Sequence, residues 1–319
     1  MKALHKQILY ELEKFNTQKN SIESIFIGGG TPSTVSPLLY KDIFDTLTPY
    51  IKDDAEITSE ANPNSATKEW LEGMKEIGVN RISFGVQSFD DKKLKLLNRA
   101  HTPQMALEAL RNADRTGYKN ISMDLIYATL GDTKDLLQKD IKLALDSPIN
   151  HLSAYALTIE DGTNFSDKPQ MSSEKLELTS WLFESIISAG LPQYEISNFG
   201  SYQSYHNKGY WLYKDYIGAG AGAVGKLNLT RFYPQTDIQA YIKNPLDIKE
   251  ELLSKEDKKI EQLFLGFRSI IGVDKDILTP NEIKRADILT DEHKLELKNG
   301  IYKNKDFLLA DELTLFISS

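Results

Sequence analysis

Three glycines in a row, Gly28, Gly29 and Gly30, run into Thr31-Pro32 directly after the apolar stretch Ile25-Phe26-Ile27. That puts them at the carboxyl end of a predicted strand, where α/β sheets hold their ligands. Lacking Cβ atoms, they let a ligand approach backbone N–H and C=O groups. One glycine would read as a tight turn; three followed by Thr-Pro read as a binding loop. Polar residues close later strands in the same way: Glu60 after Ile57-Thr58-Ser59, Gln87 after Phe84-Gly85-Val86, and Asp124 within Ser122-Met123-Asp124-Leu125. In a parallel sheet these ends converge on one mouth, so the three are expected to face a common ligand. Asp124 is the stronger pointer, because a carboxylate inside an apolar strand is costly unless paired or wet. Glu60 also reads as an ordinary loop residue.

Two other segments carry weaker signals. The run from Gly218 to Leu227 contains GxGxxG (Gly220, Gly222, Gly225) and matches GxxxxGK, but Leu227 stands where a hydroxyl must ligate magnesium. No βαβ unit surrounds it, so close backbone packing is the better reading. His206-Asn207-Lys208-Gly209-Tyr210-Trp211 sits among many aromatics. An imidazole there could coordinate iron or stack on a flat macrocycle, although a lone histidine is more often an ordinary satisfied residue.

The 319 residues include no cysteine, which removes disulfides, thiol catalysis, thiolate zinc sites and cysteine-ligated iron–sulfur clusters. None of the five histidines shares a metal-binding HxxxH or HExxH spacing with another. A net charge of -8 argues against a general nucleic-acid binder. No apolar run approaches the roughly 20 residues that span a bilayer, and no signal peptide opens the chain. The expectation is a soluble, cytoplasmic protein.

The elements that must position these residues alternate regularly. Leu4–Phe15 places Leu4, Ile8, Leu9, Leu12 and Phe15 on one helical face. Strands are then predicted at 24–27, 56–59, 81–84, 121–126 and 152–157, with helices at 38–47, 68–77, 104–116 and 135–145 between them. Such alternation predicts a parallel sheet of βαβ units, with strands apolar on both sides. The pattern changes after Glu160-Asp161-Gly162-Thr163, with a helix over 174–189 and an aromatic stretch over 202–216. The last part, from about Asp247, reads as a small helical, winged-helix-like module. Its Gly300–Lys303 and Asp306–Leu309 segments suggest a hairpin before a terminal helix. The boundaries drawn are 1–165, 166–246 and 247–319.

Taken in order, IFIGGGTPS (25–33), SEANP (59–63), GVNRISFGVQSFD (78–90), LNRAHT (97–102), DLIY (124–127), LSAYALTIEDGT (152–163), HNKGYW (206–211) and DYIGAGAGAVG (215–225) resemble one family. This is the radical S-adenosylmethionine (SAM) family, in the subgroup of oxygen-independent coproporphyrinogen III oxidases and HemW heme chaperones. The likeness covers nearly the whole chain, is loose over the last 70 or so residues, and favours the chaperone branch. It implies an α/β fold, a partial parallel β/α barrel with S-adenosylmethionine across the strand ends and its first strand missing here. It also implies that Gly28, Gly29, Gly30 and Thr31 line the methionine part and that Arg99 pairs with its carboxylate. Glu60, Gln87 and Asp124 would bond the ribose and nearby polar atoms. His206, Asn207, Tyr210 and Trp211 carry the motif associated with heme handling, which makes heme or a porphyrin, and heme-receiving proteins, the implied partners.

The departures matter as much. The family holds a four-iron four-sulfur cluster on a CxxxCxxC loop after its first strand, and this sequence contains neither. After Tyr127 the family usually has a Gly and a Pro, where this chain has Ala128-Thr129-Leu130. Three expectations follow: a coding start at an internal methionine with the loop upstream, a split or decayed gene, or a cluster-free heme- or porphyrin-binding paralogue. The intact Glu60, Gln87, Arg99 and Asp124 favour the first. As written, the chain is not expected to cleave S-adenosylmethionine. The rival readings are oxidative decarboxylation of coproporphyrinogen III by a cluster-bearing form, a cluster-free heme carrier, and a generic α/β phosphate-ligand enzyme.

Overall fold

The computed structural model describes residues 1–159, 165, 167–173 and 175–319. Glu160 to Thr163, where the sequence pattern changes, and Glu174, where a helix was expected to open, lie outside the described residues. Two compact units are present: Met1–Glu23 with Leu39–Ala55 and Ser204–Ser319, and Ser24–Leu38 with Glu56–Gln203.

From the amino terminus the elements are α1 (Lys2–Lys14), β1 (Ile22–Ile27), α2 (Lys41–Leu47), β2 (Ile51–Ala61), α3 (Lys68–Glu76) and β3 (Arg81–Gln87). There follow α4 (Asp91–Leu96), α5 (Pro103–Thr116), β4 (Asn120–Tyr127), α6 (Lys134–Leu145), β5 (His151–Ala156), α7 (Leu176–Ser188), β6 (Gln193–Glu195) and β7 (Asn198–Gly200). The strands form one seven-stranded sheet in the order β1-β2-β3-β4-β5-β7-β6. Strands β2 to β5 pair in parallel, and β7 and β6 close the far edge antiparallel. The five predicted strands are all present, and the sheet curls into a half-barrel. The sequence did not foresee α4, β6 and β7, each short enough to escape a periodicity argument.

Threonine caps start the crossover helices. Thr67, Thr102 and Thr133 each accept a backbone N–H two or three residues into α3, α5 and α6. The apolar faces of these helices cover one side of the sheet, where Ile82, Phe84, Val86, Ile121, Met123, Leu152 and Ala154 are almost wholly buried. The other side corrects the expectation of strands apolar on both faces. Alternation places Glu56, Thr58 and Glu60 of β2, Arg81, Ser83 and Gln87 of β3, Ser122 and Asp124 of β4, and His151 and Ser153 of β5 there. That face lines a cleft, so its side chains are polar.

The other unit continues with α8 (Tyr205–Trp211), β8 (Gly225–Leu227), β9 (Thr230–Pro234), α9 (Ile238–Lys243) and β10 (Ile248–Leu252). The antiparallel sheet β10-β9-β8 is short. In α1 the buried face is Gln7, Ile8, Glu11 and Leu12, while Leu9 is half exposed, contrary to its predicted place on the apolar face. The carboxyl-terminal module comprises α10 (Lys255–Phe267), β11 (Val273–Asp274), α11 (Pro280–Asp291), β12 (Leu295–Lys298), β13 (Ile301–Asn304) and α12 (Ala310–Ser318). Leu263, Phe267, Val273, Ala286, Leu295, Tyr302, Leu313 and Ile317 form its core. Its hairpin is β12–β13, not the pair expected from Gly300 onward; 307–309 is a helical turn leading into α12. Asn299 and Gly300, both left-handed (φ 53° and 80°), make the turn, as an Asn-Gly pair is suited to do.

Candidate functional site

The cleft opens where the parallel strands end. Gly30, Thr31, Glu60, Gln87, Arg99 and Asp124 line one cavity of about 170 Å³, together with Pro32, Ala61, Asn62, Ser83 and Gly85. Six of the eight residues assigned from sequence to the cofactor therefore meet there. The other two reach it through Glu60: the Gly29 N–H donates to Glu60 Oε2 at 3.2 Å. A Cβ on Gly28 would lie 2.6 Å from the Phe26 ring and 3.2 Å from the Glu60 carboxyl carbon, so a larger residue would displace the ring and press on the carboxyl. Gly29 and Gly30 turn the chain at φ 81° and 60°, the left-handed region that glycine enters freely.

Burial dominates the electrostatics. Asp124 is pushed up to about 7, first by burial and then by the Glu60 charge, against a Ser153 hydrogen bond and the Arg81 and Arg99 guanidiniums. Burial also raises Glu60, opposed by the Gly29 N–H. Arg99 is lowered by burial and sustained by Asp124, and its Nε has no hydrogen-bond partner.

Sequence reasoning missed several lining residues. Asn62 donates to Thr31 Oγ1 at 3.2 Å and its backbone N–H to Ser33 Oγ at 3.0 Å, tying the glycine loop to the end of β2. Its signal was available, since it follows Glu60 by two residues along the same strand direction. Ser83 and Gly85 share the β3 face with Gln87 for the same reason.

The four residues assigned to heme sit on α8, in the other unit. His206 Nε2 and the Tyr210 hydroxyl are 3.1 Å apart, one helical turn from each other, with their rings edge to face at 5.0 Å. Tyr210 packs edge to face on Tyr216 at 4.7 Å, and its hydroxyl is pushed up to about 12 by burial and by Tyr216. Ser204 caps the helix by accepting the Asn207 N–H, and Trp211 is buried. His206 and Tyr210 thus share one face, while Trp211 serves the core.

The glycine-rich run from Gly218 is structural. A Cβ on Gly218 would overlap the Val224 carbonyl at 2.2 Å, and the buried Gln7 amide bonds both Gly218 O and Gly220 N. Lys226, the lysine of the GxxxxGK match, is itself buried and paired with Asp215 at 2.8 Å. For a four-iron cluster the residues of this chain do not fit. The sequence has no thiolate, and among the described residues no three His, Asp or Glu side chains are grouped to hold a metal ion.

Residues 4–144 match the radical SAM superfamily, which fits a half-barrel with a polar cleft at its strand ends. The whole chain superposes on a solved structure of coproporphyrinogen III oxidase (HemN) from Escherichia coli with a TM-score of 0.78, covering 82% of that chain at 17% identity. More specifically, the heme chaperone HemW of Lactococcus lactis is 32% identical over 285 residues, 85% of this chain and 75% of the relative. HemW of Bacillus subtilis is 34% identical over 293 residues, covering 86% and 76%. The chain belongs to the HemW family.

Proposed function

We propose that this protein acts in heme handling as a HemW-type chaperone that binds S-adenosylmethionine in the half-barrel cleft and heme at α8. The observation that carries the first half is the meeting of Glu60, Arg99 and Asp124 around one cavity with the glycine loop at its rim. Arg99, lining the cavity, is suited to the amino-acid carboxylate as a charge-assisted donor. Glu60 and Asp124 supply negative charge for a cationic ligand and acceptors for ribose hydroxyls. Gly29 holds Glu60 by its N–H, and Asn62 holds Thr31, so both walls are set before the ligand arrives. S-adenosylmethionine supplies an activated sulfonium–carbon bond to the family's reactions. Homolysis of that bond needs an electron from a cluster for which this chain provides no ligand, so these 319 residues bind without cleaving.

The second half rests on the similarity to proteins named heme chaperones and on His206 and Tyr210 sharing one face of α8. The test is titration of the 319-residue protein with S-adenosylmethionine and separately with hemin. Calorimetric binding of the first, and a Soret shift with the second that weakens in His206→Ala, are expected. Absence of both would overturn the proposal. Formation of 5′-deoxyadenosine after incubation with iron, sulfide and reductant would overturn the claim that this chain does not cleave. Oxidative decarboxylation of coproporphyrinogen III would replace the chaperone reading with the oxidase one.

A further inference from the structure

Beside the cleft lies a buried charged cluster that no ligand-binding role accounts for. Lys93 of α4 is 3% exposed, and its ammonium pairs with Asp132 Oδ1 at 2.8 Å. The other oxygen of Asp132 accepts the Thr129 N–H at 2.9 Å, just past the end of β4. Asp140 of α6 is 2% exposed; it accepts Ser88 Oγ at 2.8 Å and the Phe89 N–H at 2.6 Å, immediately after Gln87. Burial raises Asp140, and the nearby Lys93 ammonium opposes the rise. The Lys93–Asp132 pair thus ties α4 to the turn after β4, and Asp140 ties the segment after β3 to α6.

The position of this cluster along the chain is what makes it informative. Charges held in a dry interior are an expensive way to stabilise, and apolar replacements often do as well. Here the cluster sits where the chain leaves the cleft and returns to it. Gln87, which lines the cavity, adopts φ 69° in a β-bulge and leads straight into Ser88 and Phe89. Arg99 returns to the cavity at the end of α4: Leu97 N–H bonds Lys93 O at 2.9 Å, Asn98 turns at φ 53°, and Arg99 N–H reaches back to Leu94 O at 2.8 Å. On its far side the His101 ring bonds Val86 O at 2.9 Å. The α4 helix is short, at six residues, and Lys93 is its charged anchor.

We propose that the Lys93–Asp132 pair with Asp140 is a positioning device that sets Arg99 and Gln87 against the ligand, and that it contributes to ligand affinity through Arg99. This rests on the S-adenosylmethionine reading of the cleft. The variant to use is Lys93→Met with Asp132→Asn, which removes both members of the ion pair together, keeps an acceptor for the Thr129 N–H and leaves Asp140 on its Ser88 and Phe89 bonds; Asp140→Asn is the milder companion. Calorimetric titration with S-adenosylmethionine is expected to show affinity about tenfold weaker in the paired variant. In an Arg99→Ala background the same change is expected to have a clearly smaller effect, a non-additivity that general destabilisation does not produce. Equal losses with and without Arg99 would overturn the proposal. Amide hydrogen exchange of the ligand-free proteins gives an independent reading: segment 87–99 is expected to exchange faster in the variants while β4 and β5 keep their protection. Unchanged exchange over 87–99 would overturn the proposal. If wild-type protein takes up no S-adenosylmethionine, the proposed function falls and the exchange data alone decide the positioning claim.

Discussion

The Glu60 carboxylate is held by the Gly29 backbone N–H at 3.2 Å, across 31 residues of chain. The bond fixes one oxygen of a carboxyl that lines the cleft, where the Glu60 charge raises the cost of ionising Asp124. Because a Cβ on Gly28 would press on the same carboxyl, the glycine loop and the carboxylate are parts of one structure. A loop of this kind presents backbone and side-chain acceptors together, which suits a ligand with both a positive centre and hydroxyls.

Arg99 is expected to dominate recognition of the ligand's carboxylate. It lines the cavity beside Asp124, and its guanidinium is a charge-assisted donor suited to a carboxylate. Arg99→Ala should weaken S-adenosylmethionine binding by about 10- to 100-fold, the size of ~1.5–3 kcal/mol for hydrogen bonds to charged groups. Arg99→Lys should recover only part of it, since an ammonium lacks the planar fork. S-adenosylhomocysteine, which keeps the carboxylate and lacks the sulfonium charge, should show the same dependence on Arg99.

Binding should also depend on pH through Asp124. Its carboxyl titrates near 7 because burial penalises the charged form. Below that value it is protonated and neutral; above it, ionised. Affinity for a sulfonium cation should therefore rise between pH 6 and pH 8. For stability the sign is opposite. A carboxyl whose folded pKa is raised above its unfolded value favours folding at low pH, and that advantage is lost as pH climbs from about 4 to about 7. Asp124→Asn should flatten the affinity profile over pH 6 to 8. A slope that persists in that variant would assign the titration to another group.

Much of this cleft is legible in the sequence, and the reasons are specific. Glu60, Gln87 and Asp124 end successive parallel strands, and parallel strands put their ends on one rim, so order along the chain implied proximity in space. The polar inner face was missed because it was read as apolar, although Arg81, Ser83 and Gln87 alternate with Ile82, Phe84 and Val86 in plain view. Period-two alternation in a parallel strand signals a cleft on the polar side. The Lys93–Asp132–Asp140 cluster was not legible, since its members are spread over 48 residues and each reads as an ordinary helix or loop charge. The carboxyl-terminal hairpin was misplaced although Asn299-Gly300 is a strong turn signal between Leu295–Lys298 and Ile301–Asn304.

Gln7 should be among the most sensitive polar residues of its unit. It is fully buried; its Nε2 donates to Gly218 O at 3.1 Å, and its Oε1 accepts the Gly220 N–H at 2.9 Å and the Tyr241 hydroxyl at 2.8 Å. Gln7→Ala would leave those groups without partners in a dry site. A loss of about 2–3 kcal/mol in urea unfolding is expected. Gln7→Glu should also destabilise, because a carboxylate cannot donate to Gly218 O. A Gln7→Ala protein as stable as wild type would mean that water takes over all three bonds.

Ala128 offers a sharper test of backbone strain. It follows β4 at φ 58°, is 2% exposed, and occupies a conformation that an L side chain enters at a penalty of ~1–2 kcal/mol. The neighbouring bond from Thr129 N–H to Asp132 and that from Ser173 N–H to Ala128 O at 2.8 Å hold the backbone there. Removing the methyl relieves the strain, but it also discards about 0.8 kcal/mol of buried hydrocarbon and frees the unfolded chain. These opposing contributions nearly cancel, so Ala128→Gly should change stability by less than about 1 kcal/mol. Ala154 on β5 is equally buried and lies in an ordinary strand, where the same substitution recovers no strain. Ala154→Gly should therefore be the more damaging of the two by ~1–2 kcal/mol in urea unfolding. Ala128→Val should be worse than either, because a β-branched side chain in the left-handed region adds clash to strain. If the two glycine variants lose the same stability, the left-handed turn at Ala128 is unstrained and its conformation is supplied by the neighbouring hydrogen bonds alone.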